Sequence, residues 1–326
     1  MKMQIPCAEL LSQAADVLIM THRKPDGDAV GSAFAMAEVL QGAGKNATVL
    51  MPESFPVKYA PLVNSGYAAA VTDISGFDLL LVLDCATPAL AGCGESDADT
   101  LCRSLPSVVI DHHPGNSFSS ALHKIVDPSA AAASLLCFEI CREMDWQIPA
   151  AAATLFLLGL STDTGGFRFS NSDCRAFAGA GELLKLGADL NEVNANAYFS
   201  KPVNQQQLEA DLVLNHLEFR CGGKLAVGSV TADMLAKYSF DMRDGEGIIE
   251  RIREMQGVVA AILISPRGSG LKISSRTRPG SISAADILNE FGGGGHKYAA
   301  GLQINENIEQ TAEKVLRRFE EELNKL

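Results

Sequence analysis

The sequence predicts an α/β protein in which a doubly wound, mostly parallel sheet is joined by a helical linker to a smaller α/β domain. Three observations predict this fold. The chain has 326 residues, enough for about two domains of roughly 100–200 residues each. Its apolar runs, such as FDLLLVLDC at 77–85, lack alternation, which is typical of strands buried on both faces of a parallel sheet. Helix-like segments separate these runs, as in a sheet covered by helices.

The larger domain is predicted over residues 1–190, and its elements follow from apolar periodicity. In the segment that starts at 29, apolar residues recur at helical spacing, and the segment ends in glycine, which commonly terminates helices. In chain order we expect a short first helix, a strand at 17–22, a helix at 29–44, strands at 46–51, 77–85 and 106–111, and alanine-rich helices near 129–145 and 149–160.

Residues 191–210 are predicted to be the linker, because Asn and Pro cluster there in a polar helical stretch. The smaller domain is predicted over 211–326. Its expected elements are strands at 224–230, 258–265 and 271–278, helices near 246–255 and 283–291, and a closing helix from about 307.

Composition narrows the class of protein. The chain is 47% hydrophobic and 20% charged, as in soluble globular proteins, and we expect no transmembrane helix and no signal peptide. Its eight cysteines are scattered without a CxxC pair, which predicts reduced thiols and a cytoplasmic location. The net charge of −12 disfavours a protein that coats long nucleic acid, and favours a short nucleic-acid partner held in a local pocket.

Carboxylate and imidazole side chains follow several of the predicted strands. Open α/β sheets bind ligands beyond the carboxyl ends of their strands, so these side chains are expected to meet at one edge. One more aspartate stands where the second alanine-rich helix gives way to a glycine turn. The whole set is His22, Asp26, Asp28, Asp84, Asp111, His112, His113 and Asp163.

Several carboxylates packed together repel one another, and divalent cations relieve that repulsion. Oxygen-rich sites with one or two imidazoles suit Mn²⁺, Mg²⁺ or Co²⁺, in contrast to the thiolate sites that zinc favours. Two such ions about 3.5–4 Å apart can lower the pKa of a shared water and hold a phosphoryl group, which is metal-assisted phosphoester hydrolysis. Each residue alone has a simpler explanation: an aspartate as a helix cap, His22 as a core histidine, or Asp111 as the partner of an imidazole.

These motifs resemble those of the DHH phosphoesterase superfamily. The first half carries HRKPDGDAVGS, LVLDC, IDHHPGN and STDTGGF, and the second half carries the glycine signature FGGGGHKYAAG at 291–301 of the DHHA1 accessory domain. Within the superfamily, the sequence most resembles the oligoribonuclease and 3′-phosphoadenosine-5′-phosphate phosphatase branch. The resemblance implies hydrolysis of short oligoribonucleotides to mononucleotides and of the bisphosphate nucleotide to AMP, with no long nucleic acid or membrane as partner.

The resemblance also implies a set of ligands for two Mn²⁺ ions, with Mg²⁺ or Co²⁺ as alternatives. His113 would face the scissile phosphate as a catalytic group, and Asp111 would act from outside the coordination sphere. Asp84 would bridge the ions together with the attacking water. One ion would take His22, Asp26 and Asp84, and the other would take Asp28, Asp84, His112 and Asp163.

In the accessory domain, backbone N–H groups in the glycine run and the side chain of His296 are expected to hold a substrate phosphate. A helix end and turn is the simpler explanation of the same glycines. Arg276 and Arg278 offer forked contacts to a second phosphate. For Arg168, the sequence favours neither a contact with substrate nor a structural ion pair over the other. The two domains would then face each other across the active-site cleft. The glycines are Gly292, Gly293, Gly294 and Gly295.

Other activities stay open at this point. A linear dinucleotide phosphodiesterase, a single-strand exonuclease, and a pyrophosphatase or polyphosphatase would share the metal motifs. A nucleotide-binding protein without activity is disfavoured because all six expected ligand positions are occupied by His or Asp. The sequence leaves the oligomeric state open between a monomer and a homodimer.

Overall fold

The computed structural model describes residues 7–50, 55–71, 73–92, 97–242, 245 and 247–326. It divides into two compact units, Met1–Ser200 and Lys201–Leu326, and this boundary falls within the range 191–210 that was predicted as a linker. Some predictions concern residues outside the described part: the start of the first helix before residue 7, the last residue of the strand at 46–51, Cys93, and the start of the helix at 246–255.

The first unit is built on a six-stranded sheet with the strand order β3-β2-β1-β4-β5-β6, in which every ladder is parallel. This confirms the predicted doubly wound architecture. The elements are α1 (Ala8–Gln13), β1 (Asp16–Met20), α2 (Gly27–Gly42), β2 (Asn46–Leu50), β3 (Ala68–Ala69), β4 (Leu79–Leu83), α3 (Ala98–Ser104), β5 (Ser107–Asp111), β6 (His123–Val126), α4 (Ala133–Glu143), α5 (Ala150–Asp163), α6 (Cys174–Lys185) and α7 (Leu190–Ala197).

The central strands are apolar throughout because both of their faces are buried. In β4, Leu79 and Leu81 belong to the core cluster on one face, and Leu80 and Val82 belong to the cluster on the other. Helices cover the sheet, and α5 is buried nearly all round. Because α2 and α5 pack closely, a Cβ at Gly31 would lie 2.4 Å from a carbonyl oxygen of α5.

The strand order reverses between β1 and β4. The chain runs outward from β1 to β2 and β3, and then returns to the other side of β1 to form β4, β5 and β6. Such a switch point leaves a crevice at the carboxyl ends of the two strands, where open α/β sheets bind their ligands. The segments that follow β1 and β4 therefore start at this crevice.

The second unit carries a mixed six-stranded sheet with the order β11-β12-β10-β9-β8-β7, in which only the β8–β9 ladder is parallel among the described strands. Apolar clusters line both of its faces. The elements are α8 (Val203–Asn215), β7 (Leu217–Arg220), β8 (Leu225–Ser229), α9 (Ala232–Tyr238), α10 (Ile248–Arg253), β9 (Ala260–Arg267), β10 (Gly270–Thr277), α11 (Ala284–Asn289), β11 (Gly294–His296), β12 (Ala299–Ile304) and α12 (Ile308–Leu323).

Several elements were not predicted from the sequence, namely β3, α3, β6, α6, β7, α9, β11 and β12. The glycine run was expected to hold a phosphate, with a helix end and turn as the simpler explanation, and its second half forms β11. Among the residues that the structure describes, no helix combines the length and the hydropathy needed to cross a membrane.

Candidate metal centre

The loop after β1 brings two predicted site residues to the switch point. Asp26 is the N-cap of α2, and its Oδ1 accepts hydrogen bonds from the backbone N–H groups of Asp28 and Ala29 at 3.0 and 3.2 Å. Aspartate is favoured at this position because it satisfies N–H groups that the helix leaves unpaired. The Nε2 atom of His22 lies 3.9 Å from Asp26 Oδ1.

Asp28 sits in the first turn of α2 and is fully buried. Its Oδ2 accepts a hydrogen bond of 2.6 Å from the N–H of Ala133, and its Oδ1 accepts one of 2.9 Å from the N–H of Ser134. Both donors lie in the first turn of α4, where the helix dipole favours a carboxylate. A Cβ at Gly159 in α5 would lie 2.5 Å from Asp28 Oδ1, so this glycine leaves the room that the carboxylate occupies.

Asp84 follows β4 directly and is 2% exposed. It adopts a left-handed φ of 51°, and its N–H donates to the carbonyl of Ile110 at 3.1 Å. Its Oδ1 is buried and accepts no hydrogen bond from any residue that the structure describes. A buried polar atom without a partner is costly in a folded protein, so it indicates a missing ligand at this position.

Asp111 ends β5 and organises the two histidines after it. Its Oδ1 accepts from the backbone N–H groups of His112 and His113 at 2.9 and 3.3 Å, and lies 2.8 Å from His113 Nδ1. Its Oδ2 accepts a hydrogen bond of 2.7 Å from Asn116 Nδ2. The side chain of His112 is held separately, because its Nδ1 lies 3.3 Å from the carbonyl of Ala130.

Asp163 is the last residue of α5, before the glycine turn, as the sequence predicted. Its Oδ2 lies 3.4 Å from His112 Nε2. The side chain of Asn171 donates to the carbonyl of Asp163 at 3.1 Å and to that of Ala131 at 3.0 Å. The end of α5 is therefore tied to the segment that precedes α4.

The structure brings these side chains into two clusters that share Asp84. In the first, His22 Nε2 lies 3.7 Å from Asp84 Oδ2. In the second, His112 Nε2 lies 3.5 Å from Asp84 Oδ1 and 3.9 Å from Asp28 Oδ2. Each cluster groups three potential ligand atoms within 4.8 Å of one another, namely those of His22, Asp26 and Asp84, and those of Asp28, Asp84 and His112.

The protonation equilibria reflect this crowding. Burial, followed by the charge of Asp84, raises the pKa of Asp28 to about 7, and burial also raises the pKa of Asp163 well above its usual value. Burial lowers the pKa of His22, but the carboxylate of Asp26 at 3.9 Å and the nearby charges of Asp84 and Asp28 outweigh this effect and raise the pKa to about 9. The pKa of His112 is raised for the corresponding reason, through Asp84 and Asp163.

The pKa values of His113 and Asp111 are shifted in opposite directions. Burial opposes both shifts, but the hydrogen bond between them raises the pKa of the imidazole and lowers that of the carboxyl. The pair is therefore an ionised carboxylate that favours an imidazolium.

The donor set fits divalent cations. Its atoms are carboxylate oxygens and imidazole nitrogens, which suit Mn²⁺, Mg²⁺ or Co²⁺. The carboxylates repel one another, as the raised pKa values of Asp28 and Asp163 indicate, and the orphaned Oδ1 of Asp84 lies between the ligands of the second cluster. Cations at these positions would remove the repulsion and satisfy the orphaned oxygen.

The predicted substrate-binding residues of the accessory domain lie on the second sheet. Arg276 in β10 and His296 in β11 both pair with Ala299 of β12. Residues in such a row point to the same face, and two strand spacings separate them by about 10 Å. Arg276 donates through Nε to Glu250 Oε1 at 2.9 Å, whereas Arg278 donates through Nη2 to the carbonyl of Val258.

The four glycines of the signature have different structural roles. Gly292 has a φ of 83° and follows α11, and the N–H of Gly293 bonds to the carbonyl of Leu288, as at a helix C-terminus. Gly295 in β11 is required because a Cβ there would lie 2.5 Å from a carbonyl oxygen of β12. Gly294 has no such constraint, since its Cβ would meet only a side-chain oxygen at 3.6 Å. A left-handed backbone therefore explains Gly292, and close packing explains Gly293 and Gly295, which leaves Gly294.

Several supporting residues were not predicted from the sequence: Asn116, Ala130, Ser134, Gly159 and Asn171. Asn116 and Asn171 follow the DHH triplet and Asp163 at short distances in the sequence, so their spacing was an available signal. The N–H and carbonyl groups of α4 and its preceding segment carry no residue-type signal. Arg168 donates through Nε to the carbonyl of Gly165 at 2.7 Å.

Comparisons with known proteins agree with the motifs. The family model described as the DHH family, N-terminal domain, matches residues 16–160, and the DHHA1 domain model matches 222–325. The bifunctional oligoribonuclease and PAP phosphatase NrnA of Thermus thermophilus is 31% identical over 326 residues, which cover 99% of this chain and 95% of that protein. The protein of the same name from Bacillus subtilis is 23% identical and covers 88% of this chain and 89% of its own.

Among solved structures, an exopolyphosphatase-related protein from Bacteroides fragilis has the same fold, with a TM-score of 0.85 at 23% identity. The match covers 97% of this chain and 94% of that one.

Proposed function

This chain belongs to the DHH family and is a hydrolase of phosphoester bonds, and on that premise we propose that it hydrolyses short oligoribonucleotides to mononucleotides. We also propose that it hydrolyses 3′-phosphoadenosine-5′-phosphate to AMP. Its proposed location is the cytoplasm. The two relatives named as bifunctional oligoribonucleases and PAP phosphatases, which this chain matches along most of its length, support the substrate class.

The observation that carries the proposal is the pair of clusters that share Asp84. Two bound Mn²⁺ ions would supply Lewis-acid stabilisation of the phosphoryl oxygens and a water of lowered pKa. The residues that would hold one ion are His22, Asp26 and Asp84, and those that would hold the other are Asp28, Asp84, His112 and Asp163.

His113 is proposed to contact the scissile phosphate. Its Nδ1 is bonded to Asp111, so the imidazole presents Nε2 to a substrate. Asp111 fixes the orientation of the ring and favours its protonated form. An oriented imidazolium stabilises the negative charge that develops on the phosphoryl group in the transition state.

Residues of the second unit are proposed to bind the rest of the substrate. Arg276 and His296 lie on one face of the sheet, and Gly294, which packing does not require, allows a phosphate to approach the backbone of β11. A short basic site of this kind suits a substrate of a few nucleotides, in agreement with the net charge of −12.

A time course of product formation with Mn²⁺ tests the proposal. The substrates are 5′-labelled RNAs of two, five and about twenty nucleotides, 3′-phosphoadenosine-5′-phosphate, and pyrophosphate. We expect rapid release of mononucleotides from the two short RNAs, slow reaction of the longest, and release of phosphate from the bisphosphate nucleotide. Hydrolysis of pyrophosphate alone would contradict the nucleotide assignment, and inactivity toward every substrate would contradict the hydrolase.

A further inference from the structure

The segment 127–134, which connects β6 to α4, contacts one of the two clusters. The carbonyl of Ala130 lies 3.3 Å from Nδ1 of His112, which leaves Nε2 of that ring directed at the carboxylates. Two backbone N–H groups at the start of α4 donate to the carboxylate of Asp28. The segment thus holds an imidazole and a carboxylate of the same cluster.

Asn171 connects this segment to Asp163. Its side-chain nitrogen donates to the carbonyl of Ala131 in this segment and to the carbonyl of Asp163. Within the described part of the chain, by contrast, the segment makes no hydrogen bond with His22 or Asp26. It therefore supports Asp28, His112 and Asp163, but not the two ligands that belong to the first cluster alone.

Arg175 ties the start of this segment to α4, the helix that follows it. From the first turn of α6, it donates through Nη1 to Asp127 Oδ2 at 2.6 Å. It also forms a fork with Glu139 of α4, with Nε–Oε1 and Nη2–Oε2 distances of 2.7 and 2.5 Å. The other oxygen of Asp127 accepts from the N–H of Ser129 at 2.9 Å, which fixes the turn that leads to Ala130.

We infer that Arg175 is a positioning residue for the second cluster: by joining Asp127 to Glu139, it holds the segment that orients Asp28, His112 and Asp163. The inference rests on the proposed function, since it assigns these residues to one of two cations. Partners that orient metal ligands typically contribute about 10–100-fold to metal affinity. Arg175 acts through one further layer, so an effect of about tenfold is expected, confined to one ion.

The chain offers a matched control. Arg142 and Glu182 form a second ion pair between α4 and α6, with an Nη1–Oε2 distance of 3.1 Å. This pair joins the same two helices as Arg175 and Glu139 do, but it makes no contact with the segment 127–134 among the described residues. Replacing either arginine removes one inter-helix ion pair, and only Arg175→Ala releases the segment.

The experiment is a Mn²⁺ titration of the full metal-free chain by calorimetry, with free Mn²⁺ followed in parallel by electron paramagnetic resonance. The wild type is expected to bind two equivalents. Arg175→Ala should bind one of them about tenfold more weakly and the other unchanged. Arg142→Ala should match the wild type, and Arg175→Lys, which keeps the charge but not the fork, should recover part of the loss.

Equal weakening of both equivalents in Arg175→Ala would show a general structural role and overturn the inference, as would unchanged binding. If circular dichroism shows that Arg175→Ala is unfolded, Asp127→Asn is titrated under the same criteria, because it removes one partner with little change of shape. Fewer than two equivalents in the wild type would overturn the proposed pair of metal sites itself, which separates that failure from a failure of Arg175.

Discussion

Replacing Gly159 by alanine tests whether the close approach of α5 keeps Asp28 in place. The new Cβ would lie 2.5 Å from Asp28 Oδ1 and 2.5 Å from Ser134 Oγ, much closer than atoms pack in protein cores. Either α5 or the carboxylate must move. The carboxylate is restrained, because both of its oxygens accept hydrogen bonds from the first turn of α4.

Two opposing effects set the size of the change. Alanine stabilises a helix interior by roughly 0.5–1 kcal/mol relative to glycine. Overpacking costs about 1–3 kcal/mol, and weakening a hydrogen bond to a charged group costs about 1.5–3 kcal/mol. Together these terms give a net loss of about 1.5–5.5 kcal/mol. With an m value of about 3 kcal/mol/M, the urea midpoint falls by roughly 0.5–1.8 M.

The assay is urea unfolding followed by tryptophan fluorescence. Trp146 is the single tryptophan of the chain and packs against the core of the first unit, so its signal reports on the unit that contains Gly159. Gly181→Ala in α6 is the control, because a Cβ there meets nothing within 4 Å and should raise the midpoint. A Gly159→Ala protein at least as stable as the wild type, with unchanged Mn²⁺ affinity, would refute the reasoning.

Three further predictions concern the site. Asp84→Asn should lower kcat/KM roughly 100-fold or more, since metal ions stabilise the transition state by several kcal/mol, while the exposed Asp73→Asn should not. The pKa of His22 is raised from 6.5 to about 9, so its protonated imidazole stabilises the metal-free protein fully below pH 6.5. The melting temperature of the metal-free protein should therefore fall as the pH rises through 9, whereas Mn²⁺ should bind more tightly. A flat melting profile would contradict the raised pKa. Arg276→Ala and His296→Ala should each raise KM about tenfold with a smaller change in kcat, and unchanged kinetics in both would exclude the proposed substrate contacts.

The parallel sheet could be predicted because its central strands are apolar on both faces, so β1, β4 and β5 were located within two residues of their observed ends. The missed strands lack that signal. β6 is a short edge strand without a fully buried residue, and β3 has two residues. β11 contains two glycines, whose missing side chains leave no hydrophobic pattern, so its pairing with β12 depends on close backbone approach rather than on residue type.

More could be predicted from the sequence about the site in the first unit than about the site in the second unit. Strand ends in a parallel sheet meet at one edge, so fold and residue type together indicated where His22, Asp84 and His112 would lie. The backbone donors and acceptors that orient these side chains, such as the carbonyl of Ala130, could not be predicted from the sequence. In the second unit, Arg276 was predicted as a phosphate ligand, but its ion pair with Glu250 depends on the packing of α10 against β10, which periodicity does not encode.

Asp84 links the stability of the first unit to the occupancy of its site. A left-handed backbone costs an L-residue roughly 1–2 kcal/mol, although aspartate tolerates it better than most residues do. A buried oxygen without a partner adds about 1–3 kcal/mol. A cation that satisfies this oxygen removes the second cost and neutralises the carboxylates around it. A residue that destabilises the metal-free fold is therefore the one through which metal binding stabilises it, because both clusters contact its carboxylate.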